Sequence, residues 1–198
     1  MIIEKLKNYG LFGLIELFIN LLYTKLFYRK SRLIRKPFYI RGSKNINLGN
    51  QLTTGINCRI DAFTQTGNKI INIGNNVQIN DNVHIGAINN IKIGNNVLIA
   101  SKVFISDHNH GSYTGAIQDT PNSSPIERKL RSKPIVIADN VWIGEFVSIL
   151  QGVHIGEGSI IGTMSVVTKD IPAYSIAVGS PAKVIKKYSF DKKTWEKI

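Results

Sequence analysis

The stretch IGNNVQINDNVHI, residues 73–85, decides the fold. Its isoleucines recur every six residues, at Ile73, Ile79 and Ile85, and a valine stands two positions ahead of the later two, Val77 and Val83. After two extra residues the count resumes at Ile93, Ile99 and Ile105. After a longer break it runs on through Ile137, Ile143, Ile149, Ile155, Ile161 and Val167. Most of these positions are followed by Gly, Asn or Ala. Such a fixed internal repeat overrides ordinary helix and sheet periodicities.

A unit of six has a direct physical meaning. Side chains alternate along a strand, so the anchor and the residue two before it share one inward face. The residues after the anchor turn a corner, where Gly and Asn tolerate positive φ. Three strands and three corners close a triangular coil of about 18 residues, and stacked coils pair as parallel strands about 4.8 Å apart. The chain therefore reads as an all-β solenoid over residues 40–183, with Ile79, Ile99, Ile143 and Ile161 in one column. Leu48, Thr54 and Ile60 keep the spacing at the start, whereas residues 61–72 depart from it.

The ends differ from the middle. Residues 1–36 carry eight of the 25 basic residues and two of the 13 acids, a surplus of six out of the net charge of +12. Between the charges lies LFGLIELFINLLYTKLFY, residues 11–28, an apolar helical segment interrupted by Glu16, Asn20 and Lys25. The interruptions make it a poor membrane span, and it lacks the small-residue cleavage site of a secretory signal. Two uses remain open: a cap on one end of the solenoid or an oligomer contact, and a helix lying in an anionic membrane interface. At the other end, SFDKKTWEKI within residues 184–198 reads as a short C-terminal helix, with Ser189 as cap and Trp195 as anchor.

The break spans residues 107–134. Pro121, Pro125 and Pro134 interrupt any regular element there, and ERKLRSK gives the segment a charged tip. A solenoid can eject one long projecting loop without disturbing its coils, and a loop of this length in a compact domain is usually functional. It begins at ISDHNHG, which holds two of the four histidines, His108 and His110. The only cysteine, Cys58, excludes an intrachain disulfide framework; two before Ile60, it reads as a small core residue rather than a nucleophile. The positive charge calls for an anionic partner, but no nucleic-acid-binding motif is present.

The segments VLIASKVFISDHNHG (97–111), IVIADNVWIGEFVSILQGVHIGEGSIIGTMSVVTKDIP (135–172) and VGSPAKVI (178–185) resemble the hexapeptide-repeat sugar O-acetyltransferases. The likeness to lipopolysaccharide O-antigen acetyltransferases extends into the N-terminal segment; galactoside and maltose acetyltransferases are more distant. The resemblance implies a left-handed parallel β-helix, acetyl-CoA as co-substrate with no metal, and a homotrimer with sites between adjacent prisms. It also implies that His108, three after Ile105, is the general base. Histidine titrates near neutral pH and can take the proton of a sugar hydroxyl as it attacks a thioester. The other ring nitrogen then needs an acceptor, for which Asp107, a backbone carbonyl and Asn109 are alternatives.

The resemblance further implies a thioester oxygen bound by the Glu145 amide beside Gly144, and a pantetheine arm at the Thr163 amide beside Gly162. Lys169 and Lys183, with Lys186 and Lys187 nearby, would meet the CoA phosphates. Trp142 points outward by alternation and calls for a partner: a sugar face, a CoA arm or a neighbouring chain. Asn80, Asp81, His84, Asp107 and His110 complete the candidate acceptor side. The implied setting is cytoplasmic, on the inner face of the membrane, where lipid-linked glycan precursors are built. Rival readings are a sugar N-acetyltransferase or another small-molecule acetyltransferase, a γ-carbonic-anhydrase-like zinc enzyme using His84, His108 and His110, and a non-catalytic scaffold.

Overall fold

A computed structural model describes residues 2–64 and 67–198, with side chains from Tyr9 onward. Residues 65 and 66, inside the irregular stretch 61–72, lie outside the described residues, as do Met1 and the side chains of Glu4, Lys5 and Lys7.

The six-residue count becomes three parallel sheets that form the faces of a triangular prism. Face A stacks Leu33–Ile34, Thr53–Thr54, Gln78–Ile79, Leu98–Ile99, Trp142–Ile143, Ile160–Ile161 and Ser175–Val178. Face B stacks Phe38–Arg41, Cys58–Ala62, His84–Ala87, Phe104–Ser106, Ser148–Ile149 and Val166–Val167. Face C stacks Ile46–Asn47, Ile71–Ile73, Ile91–Ile93, Ile135–Ile137 and His154–Ile155. The solenoid thus starts at Leu33, inside the basic stretch 1–36 and ahead of the expected start at residue 40, because Leu33 and Ile34 pair with Thr53 and Thr54.

The anchors form the expected columns. Ile79, Ile99, Ile143 and Ile161 follow one another in register, and all are buried, as are the valines two positions before the first three. Removing one such side chain from water contributes about 2 kcal/mol. Cys58 belongs to the same core, and burial pushes its thiol up to about 11. The corners are laced by amides. The Asn50, Asn75 and Asn95 backbone N–H groups donate to the side-chain oxygens of Asn75, Asn95 and Asp139 at 2.9, 2.8 and 2.7 Å. Asn76, Asn96 and Asn140 beside them hold positive φ, which asparagine tolerates better than branched residues.

One helix, Ile2–Phe27, kinked at Gly10, precedes the prism. Its C-terminal half is clamped to the first coil. Thr24 Oγ1 accepts the Ile34 N–H at 2.8 Å, and Asn20 Oδ1 accepts the Lys36 N–H at 3.1 Å. Tyr23 and Tyr28 pack on the core beneath. Much of the rest faces outward: Phe12 is 87% exposed, and Phe18 and Leu22 are more than half exposed. The stretch Tyr9–Phe27 has a mean hydropathy of 1.5, enough by length and composition to cross a membrane, so it is more apolar than its three polar interruptions suggested.

The C-terminal helix expected from sequence is absent. Lys183–Ser189 and Thr194–Lys197 form an antiparallel hairpin that extends face A from Ser175–Val178. Pairing to the open sheet edge satisfies backbone groups that a short helix would leave to water. Ser189 accepts the Lys192 N–H, but in the hairpin turn. Trp195 does anchor the end, stacked edge-on against Tyr188 at 5.3 Å.

Candidate active site

The arm leaves the prism at the corner between faces B and C. Its base is a two-stranded antiparallel ribbon, His108–His110 against Leu130–Ser132, regular structure that the prolines had argued against; all three lie outside it. Arg128 binds the tip together, donating to Ser123 O at 2.7 Å and Tyr113 Oη at 2.8 Å. His110 is exposed and its Nδ1 lies 3.2 Å from the Pro125 carbonyl, so it is engaged with the arm.

Asp107 is fully buried, which corrects its reading as a residue that touches the acceptor. Its Oδ1 accepts the Ile88 N–H at 2.9 Å, and its Oδ2 accepts those of Asn89 and Asn90, both at 2.8 Å. These three amides sit at the corner created by the two extra residues between Ile85 and Ile93. His108 Nδ1 lies 2.9 Å from Asp107 Oδ1. A carboxylate can only accept, so Nδ1 is the donor, and in the neutral imidazole the lone pair is on Nε2. The three alternatives for the Nδ1 partner reduce to Asp107. Asn109 turns away, towards Gln151 and the carbonyls of Gly111 and Arg131. The His108 side chain is 16% exposed, enough to be reached from face B.

His84 is the neighbour of that ring. Gly86 stands between them: a Cβ there would lie 3.6 Å from His84 Nε2 and 3.7 Å from His108 Cε1. His84 stacks beside Phe104, on the expected column through Phe104 and Ser148.

The other candidates lie at a different edge. Asn80, Asp81, Gly144, Glu145, Gly162 and Thr163 line the corner between faces A and B, with the turn at residues 100–101 between the first two and the rest. Across face B that edge is a full strand from His108, roughly 15 Å at about 3.3 Å per residue. Asp81 Oδ1 accepts the Ile56 N–H at 2.8 Å, and Asn80 accepts from Gln78 at 3.0 Å. Among the described residues the Glu145 and Thr163 amides donate to no protein acceptor. Trp142 projects from face A, half exposed. Lys183 follows the segment that crosses this corner, where Gly179 O and Ala182 N bond Val166. Lys169, exposed, instead lies at the B–C corner. One chain therefore gathers the candidates at two edges, not one. Among the described residues no three metal-ligating side chains converge.

Sequence reasoning missed Asp61, Arg41 and Arg59. Asp61 is fully buried and bonds both arginines and His84. Burial alone would raise its carboxyl, but the bonds from Arg41 and Arg59 outweigh it and hold the group well below the usual carboxylate range. Burial and the Arg59 charge, partly offset by Asp61, push the His84 imidazole down. The available signal was an acid directly after the anchor Ile60, where most corners carry Gly, Asn or Ala and none of the anchors from Ile73 to Val167 is followed by an acid.

Comparison with known proteins bears on this arrangement. Residues 134–169 match the family described as bacterial transferase hexapeptide (six repeats). The chain is 47% identical over its full 198 residues, and the full length of the relative, to a protein named as a lipopolysaccharide biosynthesis O-acetyl transferase, WbbJ, of Escherichia coli K12. It is 41% identical over 122 residues, 59% of this chain and 53% of the relative, to galactoside O-acetyltransferase of the same organism. The crystal structure of AntD, an N-acyltransferase from Bacillus cereus, shares the fold, with a TM-score of 0.67 at 22% identity over 83% of this chain and 84% of that one. A full-length relative at that identity, together with the stacked hexapeptide coils, makes the chain a member of the left-handed β-helix, hexapeptide-repeat family of acyl-CoA-dependent acyltransferases, related to the lipopolysaccharide O-acetyltransferases.

Proposed function

We propose that this chain transfers the acetyl group of acetyl-CoA to a sugar hydroxyl of a bacterial surface polysaccharide of the O-antigen or lipopolysaccharide type. The observation that carries the reading is the His108 imidazole fixed through Nδ1 by a buried carboxylate, with Nε2 free. Nε2 takes the hydroxyl proton while the sugar oxygen bonds the thioester carbonyl carbon. The C–S bond then breaks, and the CoA sulfur leaves with the proton from the imidazolium. Direct transfer needs no enzyme nucleophile, consistent with a Cys58 thiol that burial keeps protonated. The carbonyl oxygen gains charge during attack and calls for donors already in position; the Glu145 amide, unpaired among the described residues, fits that task, and the Thr163 amide fits the pantetheine arm. Lys183 and Lys169 supply charge for the phosphates.

The separation of His108 from the A–B corner supports a homotrimer in which the imidazole of one chain faces the amides of the next. The acceptor reading draws on the relative named for lipopolysaccharide biosynthesis, which matches this chain end to end. Mass or NMR measurement of polysaccharide acetyl content, in cells with and without the chain, tests it. The O-acetyl signal disappears without the chain. An unchanged O-acetyl level, or loss of an N-acetyl signal instead, refutes it.

The chain works at the inner face of the cytoplasmic membrane, held there by its N-terminal helix. The exposed Phe12, Phe18 and Leu22, with Lys25, Arg29 and Lys30 close by, match an interfacial helix drawn to anionic lipid. Replacing the three apolar residues with aspartate leaves the buried clamp at Asn20 and Thr24 intact. Flotation with phosphatidylglycerol vesicles should then fall at least about tenfold; equal flotation of variant and parent removes the membrane role.

A further inference from the structure

Below His108, toward the N-terminal end of face B, lies an arrangement that acyl transfer alone does not require. Asp61 is fully buried yet binds charges. Arg41 Nε donates to Oδ1 at 2.7 Å and Arg41 Nη2 to Oδ2 at 2.8 Å. Arg59 Nε donates to Oδ2 at 2.5 Å, and His84 Nε2 lies 3.2 Å from the same oxygen. A buried ion cluster is seldom more stable than apolar packing of the same volume. The positions in register above Asp61 are Gly86 and Ser106, both uncharged, so the coil does not need a carboxylate here.

What the carboxylate achieves is orientation. It holds two guanidiniums side by side at the surface, with side chains 56% and 45% exposed. Two cations against one anion leave a surplus of positive charge. The guanidinium fork suits phosphate oxygens. A groove of about 410 Å³ runs alongside, lined by Phe38, Tyr39, Ile40, Arg41 and Arg59. Aromatic faces border it: Tyr39 is half exposed, and Phe63 lies under Arg41 at 5.1 Å. Arg59 is in register with His84, and His84 adjoins the His108 ring across Gly86. Arg59 therefore lies about two coil spacings, roughly 10 Å, from the coil of the reacting imidazole, and Arg41, one coil lower, reaches up to the same level by bonding Asp61. That distance is the length scale of one sugar ring with its anomeric phosphate.

We propose that Arg41 and Arg59, oriented by Asp61, form an anion subsite for the diphosphate of a glycosyl diphosphate acceptor. The chain would then acetylate an activated sugar before it is polymerised. The inference rests on the acetyltransferase reading and adds the chemical form of its acceptor. The step that supplies this substrate must be a nucleotidyl or phosphoglycosyl transfer that leaves a diphosphate on the anomeric carbon, and the step that consumes the product must be a glycosyl transfer.

The full chain is titrated with pyrophosphate by calorimetry, alone and as Arg41→Gln and Arg59→Gln. Each variant leaves one guanidinium on Asp61, so the carboxylate keeps a partner. Pyrophosphate binds the parent, and either substitution weakens it about tenfold or more, the scale of one lost charged hydrogen bond. Arg59→Lys falls between. In parallel, transfer is measured with a panel of hexoses, each as nucleoside diphosphate, farnesyl diphosphate and methyl glycoside. The ratio of kcat/KM for diphosphate over methyl glycoside drops by a similar factor in the glutamine variants. The better of the two diphosphate forms tells a nucleotide sugar from a lipid-linked one. Absence of pyrophosphate binding in the parent, or equal binding in the variants, overturns the subsite. Failure of transfer with every acceptor overturns the acetyltransferase reading instead, and the titration still decides the subsite.

Discussion

His108→Ala lowers kcat for acetyl transfer by about 10³-fold, within the range lost with a general base, while thermal unfolding stays close to that of the parent. The side chain is only 16% exposed but belongs to no apolar column, so its removal opens no core cavity. Binding of CoA, measured by calorimetry, should persist, because the residues suited to the pantetheine arm lie at the other corner. Turnover comparable to the parent rejects His108 as the base. The same variant tests where the site is assembled. Gly144→Ala brings a Cβ to 2.7 Å from the Thr163 amide nitrogen, which displaces that turn, so this variant is inactive as well. Co-expressed, the two inactive chains regain part of the activity if one chain supplies the imidazole and its neighbour the amides. No recovery in mixed oligomers would place the whole site within one chain.

Asp107→Asn is the second large loss, and it combines chemistry with stability. The parent carboxylate accepts three backbone N–H groups and the His108 ring nitrogen. An amide offers one acceptor oxygen and turns its NH₂ toward donors. The ring then favours the wrong tautomer, with the proton on Nε2, and loses the lone pair that takes the hydroxyl proton. In serine proteases the corresponding change costs about 10⁴ in kcat; a fall of about 10² to 10⁴ is expected here. At least one backbone N–H at the 88–90 corner loses its partner, which should destabilise the fold by about 1–3 kcal/mol. The acetyl-CoA KM should change far less than kcat. A variant that is destabilised but turns over normally would reduce Asp107 to a corner brace.

Much of this fold was legible because its information is periodic. The spacing from Ile73 to Val167 dictates the columns, and the structure follows it position by position. The departures have local causes. The final segment resembles a capped helix when read by itself, but an open strand edge beside it offers backbone partners, and a hairpin forms. The arm's antiparallel base escaped notice because its two strands are only three residues each and about twenty residues apart. In the candidate site, His108 and His84 could be picked out from their places in the repeat. Asp107 was one of three open partners for the His108 ring, and the sequence could not choose among them: the donors that hold Asp107 are main-chain amides, whose direction depends on the corner and leaves no trace in side-chain identity. Asp61 showed only as an acid directly after the anchor Ile60, and its partners were hidden for a related reason. Alternation puts it on the outside, and only the coordinates reveal that Arg41, Arg59 and His84 close over it.

Each turn of the prism rests only on the turns directly above and below, and the ladder of corner amides repeats from Asn50 to Asp139. Such a tower can gain or lose a storey at the end nearest the helix without shifting the storeys that face the acyl donor. Under the proposed function, selection is then free to remodel which sugar is recognised while the donor half stays fixed, so one inherited chemistry can follow its acceptors as they diversify.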